Sequence, residues 1–134
     1  KKIKLEWRQK GSDAYFDAYS LSDGTLRFIC LATLLLQPNP PALILLDEPE
    51  LGLHPFAIRI LAEMLEAASK RVQVILATQS VTLLNNFEPK DVIVAENDGL
   101  KTTFKRLNED KLSLWLEEFS IGDLWEKNVL GGRP

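Results

Sequence analysis

One cysteine, one histidine and one methionine in 134 residues remove several kinds of chemistry at once. A lone thiol, Cys30, can form no intrachain disulfide. Its setting in Phe28-Ile29-Cys30-Leu31-Ala32 reads as a small core residue of a protein kept in a reducing, cytoplasmic compartment. His54 has no second histidine or thiol pair to accompany it, which argues against zinc. Long apolar runs are missing as well. The longest, Phe28 to Leu36, falls far short of the ~20 residues that a membrane span requires, and Lys1-Lys2-Ile3-Lys4 leads into no secretory apolar region. A positive excess is missing: 16 Lys and Arg against 19 Asp and Glu give a net charge of -3, without the clustered Lys and Arg that non-specific binding to nucleic acid needs. No repeat or low-complexity segment occurs. What remains, 46% hydrophobic and 26% charged residues, describes one ordinary globular domain over residues 1–134. The chain opens without methionine and in mid-strand, as a segment of something longer would.

Taken in order, Ile3 to Arg8 and Ala14 to Tyr19 flank Gly11-Ser12-Asp13 and predict a hairpin. A helix comes next, capped by Ser22 or Asp23, with Leu26, Ile29, Cys30, Thr33 and Leu34 at helical spacing, and Pro38-Asn39-Pro40-Pro41 ends it. The strand from Ala42 to Leu46 leads through Leu51-Gly52-Leu53-His54 to Pro55, a good first residue for a helix. The apolar stripe of that helix is Ile58, Leu61, Leu65 and Ala68. Val72 to Ala77 is the next strand, and the strand-helix-strand order predicts a parallel crossover. Ser80 caps a short helix through Leu84. Asn97-Asp98-Gly99 turns a hairpin between Asp91–Glu96 and Leu100–Arg106, a helical pattern runs from Asn108 to Phe119, and the tail from Ile121 reads as ending in loose coil.

The chemistry concentrates in Leu43-Ile44-Leu45-Leu46-Asp47-Glu48-Pro49-Glu50. A continuous apolar run describes a strand buried on both faces, and ligands bind outside the carboxyl ends of such strands. Neighbouring side chains at a strand exit point to opposite faces, so Asp47 and Glu48 can take different tasks, one toward a metal ion and one toward a water.

Three stretches in this order carry a family resemblance: Leu21-Ser22-Asp23-Gly24-Thr25, the strand ending in Asp47-Glu48, and Ala77-Thr78-Gln79-Ser80. They resemble the signature motif, Walker B segment and switch loop of the C-terminal half of an ABC-type ATPase head, with Asp23 where the family often has a second glycine. The wording Leu46-Asp47-Glu48-Pro49-Glu50-Leu51-Gly52-Leu53-His54-Pro55, with Gly122-Asp123-Leu124-Trp125-Glu126-Lys127-Asn128, is most similar to the RecF/SMC/OLD-like branch, often labelled AAA-type. The resemblance implies an α/β, P-loop NTPase-like C-terminal lobe: a largely parallel sheet with flanking helices and a C-terminal hairpin plus helix. It also implies ATP and Mg²⁺ as cofactors, a homodimer with ATP between two heads, and a setting in DNA maintenance or phage defence. DNA is a partner that the composition does not display, and no membrane partner is expected.

Residue chemistry fits these roles. Asp47 suits Mg²⁺ held through water, because that ion keeps several waters and takes few carboxylates. Glu48 suits a base that polarises the attacking water. Gln79, where many members have histidine, can donate to a γ-phosphate and orient water but cannot titrate. Ser22, Asp23 and Gly24 open a helix whose hydroxyl, free N–H groups and dipole suit a phosphate, and a plain helix cap accounts for them equally. In the family the signature contacts the nucleotide of the other subunit. Arg27, one turn on, is placed to reach a phosphate or to pair with a carboxylate. His54, at the D-loop position, either communicates across the dimer or fixes the turn before Pro55. Trp7, Trp115 and Trp125 read as core or interface anchors, and Lys101, Lys105 and Arg106 as a solvated basic strand.

No Gly-x-x-x-x-Gly-Lys-Ser/Thr occurs in the sequence, and that loop supplies the backbone cradle and lysine for the β- and γ-phosphates. ATP binding and hydrolysis are therefore expected of a full-length ATPase that includes a separate Walker A lobe, and this segment alone is expected to be inactive. The rival reading is a non-catalytic dimerisation or partner-binding module. A nuclease is disfavoured, since no Asp-x-Asp pattern is present.

Overall fold

The computed structural model describes residues 3–132, so Lys1, Lys2 and the last two tail residues, Arg133 and Pro134, lie outside the described residues. The expected N-terminal hairpin is present but short: β1 (Glu6–Arg8) pairs antiparallel with β2 (Tyr15–Asp17), and Trp7 sits against Phe16 with ring centroids 5.1 Å apart. A 3-10 turn at Ala18–Ser20 leads to α1 (Asp23–Leu36), where the Ser22 hydroxyl accepts from the Thr25 N–H at 3.2 Å. The C-terminal end of α1 is closed by Arg71, which donates to the carbonyls of Leu35 at 2.7 Å and Gln37 at 3.3 Å, a cation at the negative end of a helix.

The central unit is β3 (Leu43–Asp47), α2 (Pro55–Ser69) and β4 (Gln73–Ala77), with β3 and β4 parallel in the register Leu43↔Gln73 through Asp47↔Ala77. The expected crossover is thus formed, and the expected α2 stripe is buried at Ile58, Leu61, Leu65 and Ala68. The stripe expected of α1 is rotated. Leu31 and Leu35 are buried with Phe28 and Leu34 packed beside them, whereas Cys30 and Thr33 are exposed and Thr33 returns its hydroxyl to the Ile29 carbonyl at 2.7 Å. From Phe28 to Leu36 every position of α1 except Thr33 is apolar, so spacing alone could not choose its inner face. Cys30 is accordingly a surface thiol and not a core residue.

One cluster joins Leu31 and Leu35 of α1, Ile44 of β3 and Leu61, Leu65 and Ala68 of α2; a second sets Ile58 and Ala62 of α2 against Leu83 of α3 (Val81–Leu84). Leu35, Leu61, Leu65 and Leu83 are less than 2% exposed, and burying each contributes about 1.5–3 kcal/mol. The sheet is covered on one face only. Ile44 is buried and Leu46, Val74 and Leu76 pack toward the same core, but Leu43, Leu45 and Ile75 are 46%, 66% and 51% exposed. The unbroken apolar run of β3 therefore does not mark a strand buried on both sides within this chain.

The C-terminal part forms its own cluster of Val94, Leu107, Ile121, Leu124 and Leu130. β5 (Ile93–Asn97) and β6 (Thr102–Arg106) make the expected antiparallel hairpin, with Gly99 at φ +87° in its turn; parallel pairing among the described residues is confined to β3 and β4. All of β6 is exposed, the basic strand included, and Arg106 donates to the Lys90 carbonyl at 2.7 Å. After α4 (Glu109–Leu116) the tail first forms a helix that is not among the elements expected from the sequence, α5 (Ile121–Glu126), opened by a capping box between Ser120 and Asp123, and residues 127–132 beyond it form no regular element. Trp125 ties down the segment after α5 by donating its Nε1–H to the Gly132 carbonyl at 3.2 Å.

Candidate functional site

The register that places Asp47 beside Ala77 makes the turns after β3 and β4 leave the sheet side by side. Asp47 is exposed, on the same sheet face as Leu43 and Leu45, and its carboxylate has no hydrogen bond or ion pair to any described residue. Glu48, half-buried, has φ +42°, in the left-handed region that costs an L-residue energy and persists only where its surroundings hold it. Those surroundings are specific. The Glu48 N–H donates to the Ala77 carbonyl at 2.9 Å, its carbonyl accepts from the Leu51 N–H at 3.1 Å, and Arg27 Nη1 donates to the same carbonyl at 3.1 Å and to that of Leu51 at 3.4 Å. Arg27 thus holds the backbone of the acidic turn, and the carboxylate pair that was one of the two arrangements expected of it is not formed among the described residues.

Behind Glu48 the chain turns inward: Pro49 and Glu50 are both buried. Glu50 Oε1 accepts the Thr78 hydroxyl, and Thr78 Oγ1 in turn accepts the Ser80 N–H at 2.9 Å. Gln79, between these two, is exposed and without a side-chain partner among the described residues. Asp47, Glu48 and Gln79 therefore share one end of the parallel pair.

The turn at the start of α1 packs on the loop after Glu50. A Cβ on Gly24 would lie 2.2 Å from the Gly52 carbonyl oxygen, inside any tolerable contact, and Gly52 itself has φ +78°. Only glycine at residue 24 permits that approach. Ser22 Oγ is engaged with the Thr25 N–H and, at 2.8 Å, with Thr25 Oγ1. Asp23, exposed in the first turn, sets a negative charge against the positive end of the helix dipole and so offsets part of the attraction α1 would have for an anion. His54 is the N-cap of α2, its Nδ1 accepting from the Phe56 N–H at 3.2 Å, which is the turn-fixing role of the two expected for it. Sequence reasoning missed Glu50, Thr78 and Gly52. The second carboxylate of Glu48-Pro49-Glu50 was the signal for the first; nothing in the sequence pairs Gly24 with Gly52.

The family model for "AAA domain, putative AbiEii toxin, Type IV TA system" matches residues 2–85, which contain every residue of this site. The chain belongs to this AAA family. Comparison of the AAA chain with curated proteins finds no match. Among solved structures, one from work on ATP-driven dimerization and DNA-stimulated activation of SMC ATPases superposes with a TM-score of 0.67, at 20% identity, over 88% of this chain and 73% of that chain. At that identity the likeness is one of fold: the AAA chain has the α/β, P-loop NTPase-like fold of an SMC ATPase head. Family membership supports an ATP-binding ATPase function. Among the described residues no helix of this AAA chain is long and apolar enough to cross a membrane.

Proposed function

We propose that the chain is the C-terminal lobe of an ABC-type ATPase that hydrolyses ATP between two heads, with Glu48 as the base. The observation that carries this reading is the strained backbone at Glu48, gripped by Ala77, Leu51 and Arg27 at the end of the parallel pair. A strain held by that many contacts fixes where the carboxylate stands, and a base must stand within hydrogen-bond reach of its water. Glu48 would take a proton from that water while the Gln79 amide donates to the γ-phosphate and orients the attack. The donor set suits Mg²⁺ in one respect: Asp47 offers a single unpartnered hard oxygen group, and no group of three potential ligands among the described residues forms a self-sufficient metal site. Bound there, Mg²⁺ would offset charge on the phosphate oxygens.

The uncovered face of Leu43, Leu45 and Ile75 supports a separate Walker A lobe as the missing partner, since contiguous exposed apolar surface on a sheet invites a second layer. Ser22, Asp23 and Gly24 would meet the nucleotide of the other head, and His54 would lie near that interface. A link to DNA maintenance has support in the SMC likeness, and one to defence in the toxin–antitoxin description of the family. The missing phosphate loop favours a second reading, a dimerisation module without turnover.

Glu48→Gln in the complete ATPase decides between the two. Hydrolysis is expected to fall about 100-fold or more with ATP binding retained, because a base contributes that much to the rate and little to ground-state affinity. An unchanged rate would remove Glu48 from the mechanism. Complete protein that binds no nucleotide would favour the non-catalytic module.

A further inference from the structure

Glu50 is 8% exposed and is the one buried charged residue among those described. Its two oxygens differ: Oε1 accepts the Thr78 hydroxyl, while Oε2 is buried with no hydrogen-bond partner. An apolar pair of similar shape would join the same two turns without leaving a carboxylate oxygen orphaned in the interior, so stability alone does not account for this residue. Its chemistry does one thing an apolar pair cannot. A carboxylate only accepts, so the Thr78 proton must point to Glu50 and a Thr78 lone pair is left for the Ser80 N–H, which it accepts at 2.9 Å. Ser80 Oγ then caps α3 by accepting from the Leu83 N–H at 3.1 Å. Glu50 thereby fixes the direction of the Thr78 hydroxyl, and the backbone N–H groups of Ser80 and Leu83 carry the chain of bonds on to α3.

On its own side Glu50 lies two residues beyond Glu48, in a turn closed by Leu51 N–H to the Glu48 carbonyl at 3.1 Å and Leu53 N–H to the Glu50 carbonyl at 3.0 Å. On the far side the hydrogen-bonded residues, Thr78 and Ser80, flank Gln79. We infer that Glu50 is a positioning residue which, through Thr78, sets the backbone of Gln79 relative to Glu48, so that amide and carboxylate act on one water. This deepens the ATPase reading and rests on it.

Two measurements test it together. In this chain, Glu50→Leu and the nearly isosteric Thr78→Val are expected to speed hydrogen exchange at the Ser80 and Leu83 amides about 10-fold, while Glu50→Gln, whose carbonyl still accepts, and Thr78→Ser leave it near the parent rate. In the complete ATPase the same two disruptive changes should lower kcat about 10- to 100-fold, the loss expected of a misplaced reacting group. ATP affinity should stay within about twofold of the parent's. The double variant should be no slower than the slower single, and Glu50→Gln and Thr78→Ser should retain most of the rate. Glu50→Gln as inactive as Glu50→Leu would assign the effect to charge and overturn the inference, as would multiplicative losses in the double variant or unaltered exchange in both disruptive variants. Should Glu48→Gln leave hydrolysis intact, Glu48 is not the base, and the reading on which this inference rests falls whatever the exchange data give. Should Glu48→Gln abolish hydrolysis while Glu50→Leu and Thr78→Val preserve it, the positioning role falls alone.

Discussion

Glu48 joins conformation and chemistry in one residue. Its φ of +42° is a cost that glycine would not bear, yet glycine has no carboxylate. Glu48→Gly should therefore be more stable than Glu48→Ala by about 1 kcal/mol, since alanine keeps the strain and loses the side chain, even after the larger unfolded-state entropy of glycine is counted. Denaturant titration of the two variants checks this; an alanine variant equal to or more stable than the glycine one would mean that the turn is relaxed. Arg27 makes the complementary point. A guanidinium near an acidic turn invites a salt-bridge reading, but backbone carbonyls are acceptors too, and here they are its partners.

At the scale of elements, the C-terminal helix α5 depends on local polar chemistry. Asp123 accepts from the Ser120 hydroxyl and, at 2.9 Å, from the Ser120 N–H; these bonds, the hydroxyl first, hold its carboxyl below the ordinary carboxylate range. The sign of the linkage comes from that depression. The stabilisation is fully present above the unfolded value of about 4 and is lost as pH falls through the lower folded value. Exchange protection of the α5 amides should thus decline as pH drops below about 4, and Asp123→Asn should flatten that dependence. A profile of equal slope in the variant would show that another group controls the helix. Asp98 is lowered in the same sense by the Leu100 and Lys101 N–H groups, so the β5–β6 turn should loosen in the same acid range.

For the molecule as a whole, the consequential feature is the half-covered parallel pair. Leu45 and Ile75 are 66% and 51% exposed on the face away from α1 and α2. If a Walker A lobe covers them in the complete ATPase, Leu45→Lys with Ile75→Lys should leave this chain folded, since neither side chain lies in its core. The same pair should abolish assembly with that lobe, because two ammonium groups cannot be buried without partners. Sizing and light scattering of the isolated chain, with reconstitution of the assembly, measure both effects. Normal assembly of the double variant would place the lobe elsewhere.

Local signals in the sequence determined the α/β order, the helix starts at Ser22, Pro55 and Ser80, the stop at Pro38-Asn39-Pro40-Pro41, the inner face of α2 and the acidic strand exit, because capping, proline geometry and periodicity act over a few neighbouring residues. The capping box that opens α5 is equally local, carried by Ser120 and Asp123 at the spacing such a box requires. Tertiary structure alone decided which face of the apolar stretch Phe28–Leu36 of α1 turns inward, that β3 is covered on one side, that Gly24 must admit the Gly52 carbonyl, and that Arg27 grips a turn. It also decided that Glu50 is buried against Thr78, 28 residues away. Each of these depends on groups brought together from distant parts of the chain, and close approach between such groups is a property of packing, which composition and spacing do not encode.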